Sequence, residues 1–157
     1  MAHTVNLSHA RTKFQRDVMR RIERDKVCPF CMKHFLKYHT KSIIKNGKYW
    51  LITENFQPYA GSKLHLLAVS KKHVQRLEEL PSAAQNELFS LFFTELKKKK
   101  IKGGSFFMRF GDTNYTGGTV EHLHAQLVSG TKRAKNKKPI ITYLGYGTKR
   151  TKLLRQK

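Results

Sequence analysis

The segment 117–130, GGTVEHLHAQLVSG, constrains the fold more than any other part of the sequence. Polar and apolar residues alternate in it. The polar positions are His122, His124 and Gln126, and the apolar positions are Leu123, Ala125 and Leu127. Side chains of a β-strand point alternately to its two faces. The alternation therefore predicts a strand whose apolar face packs on a core, which fixes the register, and whose polar face presents a site.

The polar face of this predicted strand suits chemistry at phosphorus. His124, in the middle, is best placed to attack, because a neutral imidazole is a good nucleophile and forms a phosphoramidate with a phosphoryl group. Gln126 can donate to a phosphoryl oxygen but cannot deliver a proton, which limits the leaving group to one such as phosphate or diphosphate. The backbone of Gly117 and Gly118 can approach a phosphate closely. The alternative, a strand with two structural histidines, does not explain the alternation and the glycine pair together.

Two helices are predicted outside this segment. Residues 10–25 place Phe14, Val18, Met19 and Ile22 at helical spacing, which indicates a basic amphipathic helix. The stretch PSAAQNELFSLFFTELKKKK predicts a long helix with Ser82 and Gln85 as a capping box and Leu88, Leu91, Phe92 and Leu96 on its apolar face. Lys97–Lys100 complement its C-terminal dipole, and Gly103–Gly104 are expected to end it.

Strands precede and follow the long helix. KSIIKNGKYWLITENF predicts a hairpin that turns at Asn46-Gly47. KLHLLAVS, SFFMRFG and EHLHAQLVS read as further strands, and PIITYLGY is a candidate late strand. Strands on both sides of one long helix predict an α+β fold with an antiparallel sheet.

The bulk charge is the most unusual compositional property. With 32 Lys and Arg against 10 Asp and Glu, the 157-residue chain carries a formal charge of +22. Such a field attracts polyanions, including nucleic acid and nucleotides, although a solvated basic surface is the simpler interpretation. No apolar run reaches the length of a membrane span, and residues 1–26 lack the apolar segment of a secretory signal, so we expect a cytoplasmic protein without membrane contact.

The only two cysteines, in CPFC, are Cys28 and Cys31. A structural disulfide is disfavoured in an intracellular chain. Two interpretations stay open: a redox-active C-x-x-C, which would be expected after a strand, and half of a tetrahedral zinc site that needs two further ligands. Eight histidines are available to supply them.

The segment 117–130 resembles the signature of the histidine-triad superfamily, in which His-x-His-x-His follows a phosphate loop of small residues. NFQPYAGSKLHLLAVSKKHV and CPFC are similar to further motifs of its zinc-containing members, in the same order. The resemblance implies an α+β fold with a five-stranded antiparallel sheet and two main helices, usually in a homodimer that acts on nucleotide phosphates. It places a basic N-terminal helical extension at 1–27, a catalytic domain at 28–130 and a basic tail at 131–157.

The resemblance also implies roles for individual residues. The zinc ligands would be Cys28, Cys31, His73 and His122, in a structural site. The catalytic residues would be His124, Gln126 and His122. The nucleotide would be bound by Asn55 near the ribose and by Thr119 with the Gly117 and Gly118 backbone at the phosphate, while His65 would support the site.

Two departures from the family pattern refine the expected function. Gln126 replaces the third histidine, a pattern similar to galactose-1-phosphate uridylyltransferase and diadenosine tetraphosphate phosphorylase. Gly118 stands where many hydrolytic members carry a polar residue, and a single copy of the motif disfavours sugar-nucleotide exchange. We therefore expect a nucleotidyltransferase or phosphorylase that acts on nucleoside polyphosphates through a nucleotidyl-histidine. A nucleotide hydrolase and a nucleic-acid-associated nucleotide-binding protein are the alternatives.

Overall fold

A five-stranded antiparallel sheet forms the centre of the molecule. The computed structural model describes residues 5–147, so the basic end of the predicted tail, 148–157, lies outside the described residues. The strands are β1 (Ile43–Asn46), β2 (Trp50–Glu54), β3 (Leu64–Ser70), β4 (Ser105–Arg109) and β5 (His124–Ser129). Their order in the sheet is β1-β2-β3-β5-β4, with every neighbouring pair antiparallel. The predicted α+β class, the hairpin and the five-stranded sheet are confirmed.

One face of the sheet packs on the long helix α3 (Ser82–Lys98). The core between them contains the apolar residues of the alternation, Leu123, Ala125 and Leu127, each 4% exposed or less. Leu88 and Phe92 of α3 complete this core. Burial of these side chains fixes the register of β5, as the alternation predicts, because a slip by one residue would turn them to the other face.

The ends of α3 differ from the prediction. Pro81 occupies the N-cap and no side chain caps the helix, so the predicted capping box at Ser82 is wrong. The fixed φ of Pro81 (−66°) already sets the chain for entry into the helix. The helix also ends at Lys98, before the two glycines. Gly104 instead allows close packing against β5, since a Cβ at this position would lie 2.8 Å from the Val128 carbonyl oxygen.

Two shorter helices lie on the opposite face of the sheet. They are α1 (Lys13–Asp25) and α2 (Met32–Tyr38). Met19 and Ile22 of α1 are buried as predicted, but Phe14 is 58% exposed and Gln15 is buried instead. Gln15 tolerates burial because its Oε1 accepts the Arg11 backbone N–H at 2.9 Å.

The described part of the tail, 131–147, contains no strand, so the predicted late strand at 139–146 is wrong. The backbone of this segment is hydrogen-bonded to a side chain and not to a neighbouring strand, since the Arg109 guanidinium donates to the Tyr143 carbonyl. Among the described residues, no helix is long and apolar enough to cross a membrane.

Candidate active site and metal centre

Four side chains predicted as metal ligands converge between α2 and the sheet. Cys28 and Cys31 lie in the turn before α2, His73 follows β3, and His122 precedes β5. The Cys28 Sγ lies 3.3 Å from the His122 Nδ1, and the Cys31 Sγ lies 3.2 Å from the His73 Nδ1 and 3.9 Å from the His122 Nδ1. All four donor atoms lie within 4.8 Å of one another.

The geometry of this cluster is compatible with zinc. Tetrahedral zinc with usual Zn–S and Zn–N bond lengths separates sulfur from nitrogen by about 3.5 Å. The His122 Nε2–H donates to the Ser70 carbonyl at 2.7 Å, which leaves Nδ1 unprotonated and directed at the sulfurs. Burial raises the pKa of Cys28 to about 12, so this thiol becomes a thiolate only when a cation compensates its charge. Two cysteines facing histidine nitrogens favour ligation over the redox interpretation.

His122 differs from the prediction in its placement. β5 begins at His124, so His122 lies in the bend before the strand and does not continue the alternating polar face. The bend is held by two backbone hydrogen bonds of Leu123, with Val74 at 2.8 Å and Ser70 at 3.2 Å. This bend turns the His122 ring towards the cysteines.

His124 is held as a neutral imidazole. Its Nδ1–H donates to the His122 carbonyl at 2.7 Å, so Nε2 keeps its lone pair. Burial, together with the charge of Arg109, lowers the pKa of His124 to about 4. Phe30 contacts the ring edge-on, with 5.2 Å between ring centroids. The arrangement provides an unprotonated, oriented nucleophile at neutral pH.

Gln126 is oriented by His65, its neighbour across the sheet. The Tyr59 backbone N–H donates to the His65 Nδ1 at 3.1 Å, so the proton of the neutral ring resides on Nε2. That Nε2–H donates to the Gln126 Oε1 at 2.7 Å, and burial lowers the pKa of His65 to about 4. The amide NH2 of Gln126 is therefore the group that can donate a hydrogen bond to a ligand.

The predicted nucleotide-binding residues line one cleft with His124 and Gln126. They are Asn55, Gly117, Gly118 and Thr119. The Asn55 Oδ1 accepts the Gln57 N–H at 2.9 Å, and the Asn55 backbone N–H donates to the His65 carbonyl at 2.8 Å, which together hold the side chain in place. The Gly118 N–H is already bonded to the Thr116 hydroxyl at 3.1 Å. We call residues 116–119 the glycine loop.

The glycine loop is contacted by both ends of the described chain. On one side, the Asn6 N–H donates to the Thr119 carbonyl at 2.9 Å, and the His9 Nδ1 lies 2.6 Å from the Gly118 carbonyl oxygen. On the other side, a Cβ at Gly117 would lie 2.6 Å from the Tyr143 carbonyl oxygen. Glycine is therefore required at 117 for the close approach of the tail.

Comparison with solved structures finds the same architecture in several proteins. A histidine triad protein from Clostridium difficile matches with a TM-score of 0.51 and 21% identity, over 68% of this chain and 96% of that one. A Zn-bound histidine triad family protein from Mycobacterium smegmatis matches with a TM-score of 0.51 and 17% identity, over 67% of this chain and 78% of that one. The chain has the histidine-triad fold. No protein-family model and no curated sequence matches it.

Within the histidine-triad fold, the sequence analysis did not predict the two arginines and the tyrosine of the cleft. Arg11, Tyr59 and Arg109 line it beside His124 and Gln126. Arg109 ends β4 and carries a charge where the strand otherwise reads as apolar, a signal that was available in the sequence. Arg11 gave no such signal, because its place in the cleft depends on how the segment before α1 packs against the rest of the fold.

Proposed function

We propose that this protein is a nucleotidyltransferase or phosphorylase that acts on nucleoside polyphosphates, including dinucleoside polyphosphates, through a nucleotidyl-histidine. The observation that carries the proposal is the hydrogen bond from the His124 Nδ1–H to the His122 carbonyl. It leaves the Nε2 of His124 free to attack, in a cleft lined by the glycine loop and by Gln126.

In the first step, Nε2 of His124 forms a bond with the α-phosphorus of the nucleotide. The bond from this phosphorus to the bridging oxygen breaks, and the electron pair leaves with the departing phosphate or nucleotide. The imidazole becomes a cation whose Nδ1–H remains bonded to the His122 carbonyl, which stabilises it. The Gln126 amide donates to a non-bridging oxygen as charge develops there.

In the second step, an anionic acceptor such as phosphate attacks the same phosphorus. The nitrogen–phosphorus bond breaks, and the electron pair returns to Nε2 of His124 as a neutral imidazole. Neither step requires a proton from residue 126, which suits an amide at that position. Water as the acceptor would give the hydrolase, the close alternative.

The remaining predicted roles complete the proposal. Asn55 would bind the ribose region, and Thr119 with the Gly117 and Gly118 backbone would bind the phosphate, for which the Gly118 N–H would exchange its bond with the Thr116 hydroxyl. His65 would position Gln126 through the hydrogen bond between them. Cys28, Cys31, His73 and His122 would hold a zinc ion. With four protein ligands the ion has no open position, so it would supply structural support.

We also propose that the protein forms a homodimer through α3 and the edge strand β4. Phe89, Phe93 and Phe106 are 45%, 49% and 40% exposed and contact one another on this surface. Contiguous exposed aromatic residues favour a partner surface. Sedimentation of wild type and Phe93→Ser tests this, and a monomeric wild type would refute it.

A nucleic-acid-associated role is the second candidate, favoured by one feature of α1. Arg16, Arg20, Arg21 and Arg24 are all exposed on this helix. Binding to RNA should then weaken steeply with salt, because each neutralised phosphate releases counterions. An affinity for RNA that does not change with salt would refute it.

The proposed chemistry is tested by the intact mass of the protein after brief incubation with diadenosine tetraphosphate. The wild type should gain one nucleotidyl group, and His124→Ala should gain none. His34→Ala is the matched control, because His34 lies on α2 and does not line the cleft. No adduct and no turnover on the wild type, with any nucleoside polyphosphate, would refute the proposal.

A further inference from the structure

Two guanidinium groups face the cleft on either side of the Tyr59 side chain. The Arg11 guanidinium lies 4.4 Å above the Tyr59 ring, in the geometry of a cation–π contact. The Arg109 guanidinium lies 3.4 Å from the Tyr59 hydroxyl. Arg11 precedes α1, whereas Arg109 ends β4, so two distant parts of the chain bring these charges to the same cleft.

Neither charge is neutralised by the protein. Among the described residues, the ion pairs are Arg20–Asp17, Lys37–Asp25 and Arg76–Glu78, and none involves Arg11 or Arg109. Arg11 donates to the Gln57 carbonyl at 3.0 Å, and Arg109 donates to the Thr142 hydroxyl at 2.9 Å and to the Tyr143 carbonyl. These acceptors are all uncharged.

No carboxylate lies among the residues 5–147 that line the cleft. Two unpaired guanidiniums therefore share a cleft with the nucleophile and with the amide of Gln126. Planar guanidinium groups bind phosphate through paired hydrogen bonds and remain charged at every relevant pH. The cleft therefore has the charge and the donors for more phosphate than the single group that His124 attacks.

We propose that Arg11 and Arg109 form a second anion subsite, which binds the phosphates on the leaving side of the attacked phosphorus. This inference rests on the proposed function and names the residues that would select nucleoside polyphosphates over nucleoside monophosphates. When the bond to the bridging oxygen breaks, that oxygen gains negative charge, which the two guanidiniums stabilise. They thereby assist departure electrostatically, at a site whose Gln126 cannot donate a proton to the leaving group.

The subsite is tested by titration calorimetry with AMP and with α,β-methylene ATP, whose α,β linkage cannot be broken. Wild type should bind the triphosphate analogue more tightly than AMP. Arg11→Gln and Arg109→Gln should each lose about 10- to 100-fold of affinity for the analogue, the usual effect of one charged hydrogen bond, and keep their affinity for AMP. Arg109→Lys should retain part of the preference, because it keeps the charge without the planar fork.

Arg133→Gln is the matched control, since it removes the same charge from an exposed position that does not line the cleft and should leave both affinities unchanged. An unchanged analogue-to-AMP ratio in both cleft variants would overturn the subsite while leaving the nucleotidyl adduct on His124 intact. Equal losses in Arg133→Gln would also overturn it, because the preference would then come from the overall charge. A wild type that binds neither ligand and forms no adduct would refute the proposed function and the subsite with it.

Discussion

Substituting Gln126 by methionine tests both roles assigned to its amide, the one in the proposed chemistry and the one in holding His65. Methionine has a similar length but offers neither the amide NH2 nor the amide oxygen. The NH2 is the group proposed to donate to the phosphoryl oxygen. The oxygen accepts the His65 Nε2–H at 2.7 Å.

The effect of the first loss on the rate and of the second on the free energy of unfolding can be estimated. Removing one preorganised donor from a transition-state oxygen lowers a rate by about 10²- to 10³-fold, or about 3–4 kcal/mol. His65 is only 4% exposed, so its Nε2–H cannot exchange the lost acceptor for water. An unsatisfied buried donor costs about 1–3 kcal/mol in the free energy of unfolding.

Gln126→Glu distinguishes the two effects. A carboxylate still accepts from His65, and the Arg11 and Arg109 guanidiniums of the same cleft offset its charge, so the free energy of unfolding should stay close to that of wild type. It cannot donate to the phosphoryl oxygen, and its negative charge repels the substrate, so the rate should fall at least as far as in Gln126→Met.

The measurements are the rate of adduct formation in a single turnover, followed by intact mass, and urea unfolding of the same preparations. Gln85→Met on α3 is the matched control and should leave the rate unchanged. Formation of the adduct at the wild-type rate by Gln126→Met would refute the role assigned to the amide. A glutamate variant as destabilised as the methionine variant would refute the role of the hydrogen bond to His65.

Two further predictions concern the metal cluster and acid stability. Cys31→Ser should lower the bound zinc from about one ion per chain to near zero. It should also lower the melting temperature, because a structural ion stabilises only the folded state. Equal zinc content in wild type and Cys31→Ser would contradict the ligand set. Burial lowers the pKa of His39 from 6.5 to about 4, and its Nδ1 has no hydrogen-bond partner among the described residues. The folded state therefore disfavours protonation of His39, so its contribution to stability is complete above pH 6.5 and is lost as the pH falls towards 4. Urea unfolding between these limits should show a smaller loss of stability in His39→Gln than in wild type, and equal losses would contradict this origin.

The sheet could be predicted from the sequence because its signals are local. The Asn-Gly pair marks the hairpin, although Asn46 ends β1 and the turn itself lies at 47–49. The apolar residues of the segment 117–130 fix the register of β5. The metal cluster could be proposed only from a resemblance, since CPFC alone left two interpretations open. Its two histidines lie far from the cysteines along the chain and meet them only through the fold.

Other features could not be predicted because tertiary contacts override local pattern. His122 leaves the strand since Leu123 bonds to the backbone of Val74 and Ser70 on another part of the chain. Gln15 replaces Phe14 in the buried face of α1 because a backbone N–H satisfies its amide. The candidate late strand is an irregular segment that accepts hydrogen bonds from the Arg109 side chain.

The two segments that meet over the glycine loop are separated by almost the full described length of the chain. His9 and Tyr146 nevertheless have ring centroids only 5.5 Å apart. Contacts of such sequence separation form late in folding, because the entropy of closing a long loop must first be offset by nearer contacts. During synthesis, the segment around His9 must therefore wait for residue 146 to leave the ribosome. A nascent chain should consequently form its sheet before the segments around His9 and Tyr146 meet over the glycine loop.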